Sequence, residues 1–255
     1  MKEAVIGLVV ATVTAATGVG GSTLTVPALI LLCATPPVQA VGTAFAFATL
    51  IRSMAVADYA GRAQVDWEAV RRMLAGAAPG VVVGTLVLAR FACAGMAHTA
   101  CLLIGLTVSH GAALTLARRW LPAPKPPIRE NRKQLGWLAV PIGLLVGFSS
   151  VGAGALGSLL LLTRTNLAPA GVVGTVLVFG LGLSVLGSVL HIAAGHCDFA
   201  LLLRLSLGGV VGVAAGGWIA ARAPARRMRM ALLFLLVLVG GHVSWQGVQG
   251  MLGAK

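Results

Sequence analysis

Charged residues are scarce in this chain and unevenly placed. Only 10% of its 255 residues are charged, whereas soluble domains carry about 25%. No Lys, Arg, Asp or Glu occurs in residues 4–51, 134–163 or 165–197. Since about 20 apolar residues cross the hydrocarbon core of a bilayer, each of these gaps is long enough for a membrane pass. The pattern excludes an ordinary water-soluble enzyme and predicts an all-α, polytopic membrane protein.

The sequence also lacks the residue patterns of common catalytic and metal sites. It has only six acidic residues and no Walker loop, and its five histidines show no metal-ligand spacing with carboxylates. We therefore expect no enzyme activity, no cofactor and no metal. The cysteines form no C-x-x-C pair and are interpreted as reduced packing residues: Cys33, Cys93, Cys101 and Cys197.

The net charge of +13 comes from short clusters of Lys and Arg between apolar runs. Such clusters are typical of cytoplasmic loops, where they also meet anionic lipid headgroups. We interpret the charge as a signal of topology, with the bilayer as the partner and no role for nucleic acid.

Two halves of the chain align without a gap after a shift of 132 residues. The matching residues are Gly20/Gly152, Pro37/Pro169, Gly42-Thr43/Gly174-Thr175, Asp66/Asp198, Arg72/Arg204, Gly76/Gly208, Gly80/Gly212, Gly84/Gly216 and Arg90/Arg222. Glycine is needed where backbones approach closely. We predict two homologous transmembrane repeats, residues 1–117 and 134–255, joined by a charged, proline-rich linker at 118–133.

Each half opens with an apolar stretch that is too long for one membrane helix. Residues 4–33 or 135–163 as a single rod would measure about 45 Å. Small residues interrupt both stretches near the middle, at 18–22 and 149–154. Broken backbone at membrane depth requires burial in protein or a polar cavity. Three further spans are predicted in each half: 38–58, 73–89 and 95–116, then 169–191, 205–221 and 230–249.

Two topologies are consistent with these spans. If the broken stretches cross the bilayer, twelve basic residues lie on one face and six on the other, with Arg52 set aside. If they turn back as re-entrant hairpins, the division becomes fourteen and four. The positive-inside rule favours the hairpins. Three full crossings per half would then make the repeats inverted and place both termini outside.

The paired helix breaks are the main candidates for a binding site. A helix N-terminus carries unpaired N–H donors and partial positive charge, so two breaks facing one place could bind an anion. The candidate residues are Gly20, Gly21, Ser22 and Thr23 in the first half, and Ser150, Gly152, Ala153 and Gly154 in the second.

Other candidates have both a functional and a structural interpretation. The pairs Gly42-Thr43 and Gly174-Thr175 could bind an anion or pack helices closely. Arg52 lies inside an apolar span and could be an anion ligand or gate, or could snorkel to the interface. His191, near a span end, could titrate or pack as a neutral ring.

The runs GVGGSTLTVPALILL and PPVQAVGT, with LAPAGVVGT and HIAAGHCD in the second half, resemble the TauE/SafE sulfite-exporter family, also called the toluenesulfonate uptake permease family. The resemblance covers nearly the whole chain. It implies a prokaryotic membrane transporter of sulfite, sulfonates or related anions, located in a bacterial inner membrane. Ser22 and Ala63 depart from the family's glycine pattern, which bears on the substrate.

We therefore expect a secondary transporter that binds a small anion between the two breaks and alternates access by rocking of the repeats. Efflux is favoured, because an inside-negative potential expels anions. A passive anion channel and a non-transporting membrane scaffold subunit are the alternatives. The sequence leaves open whether the protein forms homo-oligomers.

Overall fold

A computed structural model describes residues 2–17, 22–60, 65–117, 132, 134–220 and 225–253. The described residues form ten α-helices and no strand. In chain order they are α1 (Lys2–Thr17), α2 (Ser22–Cys33), α3 (Pro37–Ala60), α4 (Trp67–Cys93), α5 (Ala97–Ala117), α6 (Gln134–Ser149), α7 (Ala153–Arg164), α8 (Pro169–Ala193), α9 (Phe199–Ala220) and α10 (Ala225–Gly253).

Six of these helices are long and apolar enough to cross a membrane, namely α3, α4, α5, α8, α9 and α10. They confirm the six predicted spans within a few residues at most ends. Large apolar side chains such as Leu203, Leu207 and Leu238 are more than 60% exposed on the outer surface. Lipid tails rather than water must cover such a surface.

The helices α3 and α8 form the centre of the bundle. In the most apolar 18-residue segment of each helix, 61% of α3 and 50% of α8 is buried inside the protein. The corresponding share is 28–39% for the other four spans. Phe45 and Phe179 are almost completely buried here. Arg52 bonds to Ser184, whereas Thr49, earlier on α3, meets Ser188, later on α8. The two helices therefore run antiparallel.

Rows of glycines hold two pairs of helices at close range. A Cβ atom on Gly76, Gly80 or Gly84 of α4 would lie within 2.4 Å of a backbone oxygen of α6. These contacts advance in the same order along both helices, through Gly136, Val140 and Leu144, so α4 and α6 run parallel.

The second row repeats this arrangement between α9 and α1. Gly208, Gly212 and Gly216 of α9 lie against Ala4, Leu8 and Thr12 of α1, also in parallel order. No side chain larger than hydrogen fits at such backbone separations. The recurrent glycines of the sequence thus define helix contacts between the two halves of the chain.

The helices α5 and α10 form a third contact between the halves. Gly247 of α10 lies against Leu102, and Gly240 lies against Ser109, which comes later on α5. This pair is therefore antiparallel, like α3 and α8.

Candidate functional site

The second long apolar stretch is broken, as the sequence predicted. In the second half, α6 ends at Ser149 and α7 begins at Ala153. Between them Ser150 has a φ of 60° and Gly152 a φ of 105°. Gly152 adopts a left-handed conformation that glycine tolerates without steric penalty. In the first half α1 ends at Thr17 and α2 begins at Ser22; the predicted site residues Gly20 and Gly21 lie outside the described residues.

The start of α2 contacts the break in the second half. The hydroxyl of Ser22, at the start of α2, donates a hydrogen bond of 2.5 Å to the carbonyl oxygen of Ser150. Both residues are at most 3% exposed. The hydroxyl of Ser149 donates to the carbonyl oxygen of Leu145 within its own helix. The break in the second half is therefore buried in protein, which is the condition that irregular backbone at membrane depth requires.

The first turns of α2 and α7 carry the other predicted residues. Ala153 is buried, whereas Gly152, Gly154 and Thr23 are partly exposed. A Cβ atom added to Gly154 would meet nothing within 4 Å, so there is space beside the first turn of α7. The N–H groups of that turn have no partner within the helix and can bind an anion.

Arg52 is buried on α3, with 8% of its surface exposed. Its Nη1 atom donates to the carbonyl oxygen of Gly180 and to the hydroxyl of Ser184, both at 2.5 Å and both on α8. No carboxylate of the described chain lies within ion-pair distance of the guanidinium. Arg52 therefore does not snorkel to the interface; it is a cation enclosed by protein without an acidic counter-ion.

A row of hydroxyl groups continues from Arg52 along the α3–α8 contact. Ser184 donates to the carbonyl oxygen of Gly180 at 2.9 Å, and Ser188 donates to that of Ser184 at 2.7 Å. Thr49 lies 2.9 Å from the Ser188 hydroxyl. Our sequence analysis missed this row, although the spacing of Ser184 and Ser188 on one face of α8 indicates it.

The Gly-Thr pairs have structural partners. Thr43 accepts a hydrogen bond of 3.2 Å from the backbone N–H of Asp198, and Thr175 accepts one of 3.0 Å from that of Asp66. Each aspartate then caps its own helix, with Oδ1 accepting from Leu201 or Ala69 at 2.9 Å. These contacts account for the complete burial of both threonines without a ligand.

The surroundings of Gly42 and Gly174 are equally tight. A Cβ atom on Gly42 would lie 2.2 Å from the carbonyl oxygen of His196, and Gly174 is buried. Close by, burial raises the pKa of the Cys197 thiol. A hydrogen bond with the Thr43 hydroxyl lowers this pKa somewhat, and the negative charge of Asp198 raises it again. Cys197 therefore stays protonated at neutral pH, in line with the interpretation of the cysteines as packing residues.

His191 lies in the last turn of α8 and is completely buried. Its ring stacks on Phe45, with ring centroids 5.5 Å apart. Neither ring nitrogen has a partner in good hydrogen-bond geometry, and the backbone of Gly147 on α6 makes only a weak contact with the ring. The ring is therefore packed, as one of the two interpretations of His191 from the sequence expected.

Comparison with known proteins supports a transport role for this arrangement. The family model of the sulfite exporter TauE/SafE matches residues 4–243. The probable membrane transporter protein YjnA of Bacillus subtilis (strain 168) is 26% identical over 244 residues, which cover 92% of this chain and 95% of YjnA. No solved structure matches the chain at a significant level.

Proposed function

Because the chain belongs to the sulfite exporter TauE/SafE family, we propose that it carries small oxyanions of the sulfite or sulfonate type across the bacterial inner membrane. The family consists of membrane transporters and not of enzymes. The proposed site consists of Arg52 and the two helix breaks, with α3 and α8 as the moving interface. The proposal is supported by one observation: Arg52 contacts Ser184, the residue at the equivalent position in the other half of the chain.

Arg52 occupies the symmetry axis that the sequence repeat implies. A shift of 132 residues places Ser184 on Arg52, and these two side chains are in direct contact. Two equivalent residues can touch only at the twofold axis that relates the halves. In an inverted repeat this axis lies in the plane of the membrane, so Arg52 is proposed to lie near the bilayer midplane.

The helix breaks meet at the same axis. Ser22 follows Gly20 by two residues, and Ser150 precedes the equivalent Gly152 by two. Ser22 and Ser150 therefore lie at equal distances along the chain, in opposite directions, from the equivalent residues Gly20 and Gly152. A hydrogen bond between them is centred on the axis that relates this pair. One axis thus relates the guanidinium and both breaks, which places them at a common depth. This is where alternating-access transporters of inverted-repeat architecture bind their substrates.

The order of helix contacts favours the hairpin topology. The helices α3 and α4 cross the membrane in opposite directions, and so do α8 and α9. Because α4 runs parallel to α6 and α1 runs parallel to α9, α1 and α3 point in the same direction. The short α2 must then return across the same half of the membrane. The same argument applies to α6, α7 and α8. Each pair α1–α2 and α6–α7 becomes a re-entrant hairpin, and the two enter from opposite faces.

Charges and tryptophans agree with this topology. The hairpin arrangement places Arg62, the linker at 118–133, Arg164 and the cluster at 222–229 on one face, which becomes the cytoplasmic face. Trp67, Trp137 and Trp218 are at least 62% exposed and lie at helix ends on that face. Tryptophan is enriched at such membrane interfaces.

The direction of transport follows from electrostatics. Moving one elementary charge through a potential of 100 mV involves about 2.3 kcal/mol. Expelling a dianion from an inside-negative cell therefore releases about 4.6 kcal/mol per 100 mV and needs no coupling ion. Among the side chains that the structure describes, no carboxylate lies near Arg52 to bind a cation together with the anion. We therefore propose efflux as the physiological direction.

The test uses the purified protein in liposomes loaded with sulfite. Saturable sulfite efflux that accelerates with a potential negative inside is expected. A large conductance that does not saturate and follows the anion gradient would identify a channel instead. Absence of sulfite, sulfonate and carboxylate flux would leave only a scaffold role and would refute the proposal.

A further inference from the structure

His191 is the most unusual polar group in the described part of the chain that the proposed site does not use. It is 0% exposed, and both ring nitrogens lack a good hydrogen-bond partner. A buried polar group without a good hydrogen-bond partner destabilises a fold. A phenylalanine would make the same stack on Phe45 without this cost, so packing alone does not explain a histidine here.

The groups around His191 come from three elements. The α3 helix contributes Phe45, which is not titratable, and α6 contributes the backbone of Gly147, which makes only a weak hydrogen-bonding contact with the ring. The turn after α8 contributes His196, whose ring centroid lies 6.0 Å away and whose buried Nδ1 atom also lacks a partner. Gly42 leaves the space in which the two histidines meet.

The other titratable side chains in the turn after α8 have partners away from His191. Cys197 lies beside Thr43, and the carboxylate of Asp198 accepts the N–H of Leu201 in α9. No carboxylate of the described residues lies within ion-pair distance of either imidazole ring. A proton added to His191 in this conformation would thus create a buried cation without a counter-ion and close to a second imidazole.

We propose that His191 is a proton-binding site of the transport cycle, neutral in the closed arrangement seen here and protonated when the outer ends of α3 and α8 separate. The inference rests on the proposed transport function and its topology, in which the end of α8 faces outside. Histidine is the side chain whose charge changes in the physiological pH range. Its place in the last turn of α8 favours the charged form once water reaches the ring, because the helix C-terminus carries partial negative charge.

The sign of the pH effect follows from this difference between the two conformations. The open conformation binds a proton that the closed one excludes, so a lower external pH shifts the population toward the open conformation. Transport that is limited by outward opening then becomes faster as the external pH falls.

The experiment compares wild type with His191→Phe in liposomes at external pH values from 5.5 to 8, with sulfite as the substrate. Sulfite changes its own protonation over this range, so the measured quantity is the ratio of variant to wild-type flux at each pH. Both proteins see the same mixture of sulfite species, and the substrate's titration cancels. We expect this ratio to change at least threefold across the range. His242→Phe, an exposed histidine on α10, is the matched control and should give a constant ratio.

Thermal stability provides the second readout. His191→Phe should be at least as stable as wild type, because it removes two unsatisfied nitrogens and retains the ring. A constant flux ratio, or a variant that unfolds at a lower temperature with flux lost in proportion, would assign His191 a structural role and overturn the inference. Absence of saturable sulfite flux in wild type would instead refute the proposed function itself.

Discussion

Arg52 donates a hydrogen bond to the hydroxyl of Ser184, the residue that occupies its own position in the other half of the chain. The two halves are therefore chemically different where these equivalent residues meet. A second arginine at position 184 would place two cations in contact within the membrane. A single arginine leaves one positive charge at this contact, with serine as its hydrogen-bond partner.

The first prediction concerns this charge. Arg52→Gln should lower saturable sulfite flux at least tenfold, because a hydrogen bond to a charged group contributes about 1.5–3 kcal/mol. The thermal unfolding temperature should stay equal or rise, since the replacement removes a buried cation that has no carboxylate partner. Flux in liposomes and unfolding in detergent are measured on the same preparation.

Arg90→Gln, at an exposed position near the end of α4, is the control for the loss of one positive charge. It should retain wild-type flux. Equal kinetics for Arg52→Gln and wild type would remove Arg52 from the site. A loss of flux accompanied by a clear drop in unfolding temperature would show that the arginine holds α3 and α8 together instead.

The second prediction separates packing from binding at the threonines. Thr43→Val and Thr175→Val remove the acceptors for the N–H groups of Asp198 and Asp66. Each should lower the free energy of unfolding by about 1 kcal/mol and leave the KM for sulfite unchanged. Thr107→Val is the control, because that hydroxyl bonds only within its own helix. A KM raised severalfold in both variants, with normal stability, would instead place the threonines in the anion site.

The third prediction uses two adjacent glycines of α9. A Cβ atom on Gly216 would lie 2.4 Å from the carbonyl oxygen of Thr12, whereas one on Gly217 would meet nothing within 4 Å. Gly216→Ala should force α1 and α9 apart and lower the unfolding temperature by several degrees. Gly217→Ala should be neutral or stabilising by up to about 1 kcal/mol, because alanine favours the helix. Unfolding in detergent measures both, and equal effects would contradict the glycine contact.

The fourth prediction tests the re-entrant hairpins. Cys93, exposed at the end of α4, and Ala168, exposed just before α8, lie on opposite faces if the hairpins are correct. They lie on the same face if the broken stretches cross the membrane. Single-cysteine variants carrying Cys93 or Ala168→Cys are treated with an impermeant maleimide outside intact cells. We expect labelling of Cys93 alone, with the Ala168→Cys variant labelled only after permeabilisation.

Much of the fold could be predicted from the sequence because its signals are local. Runs without charge must lie in lipid or in the core, and the six long helices are found where these runs occur. The second apolar stretch is broken where the small residues of 149–154 had indicated, and Gly152 there has a left-handed conformation that was not predicted. The spacing of the recurrent glycines predicted close backbone contacts, although it did not identify the helices that pair.

The candidate site could be predicted only in part, because its contacts join residues more than a hundred positions apart. Ser22 and Ser150 were both expected at a break, but their hydrogen bond is a property of the packed halves. The interface alternative for Arg52 was excluded by its partners on α8, and Gly180 gives no signal of that role in the sequence.

The sequence by itself determined that this chain is a multi-pass membrane protein with two broken helices and a single charge inside its central span. Hydrophobicity and backbone freedom are properties of each residue, so these features need no knowledge of the fold. Only the tertiary structure decided what surrounds the charge, which threonines cap the partner half and that His191 is buried without a good hydrogen-bond partner. Such features depend on which helix faces which, and that is set by the packing of the whole bundle.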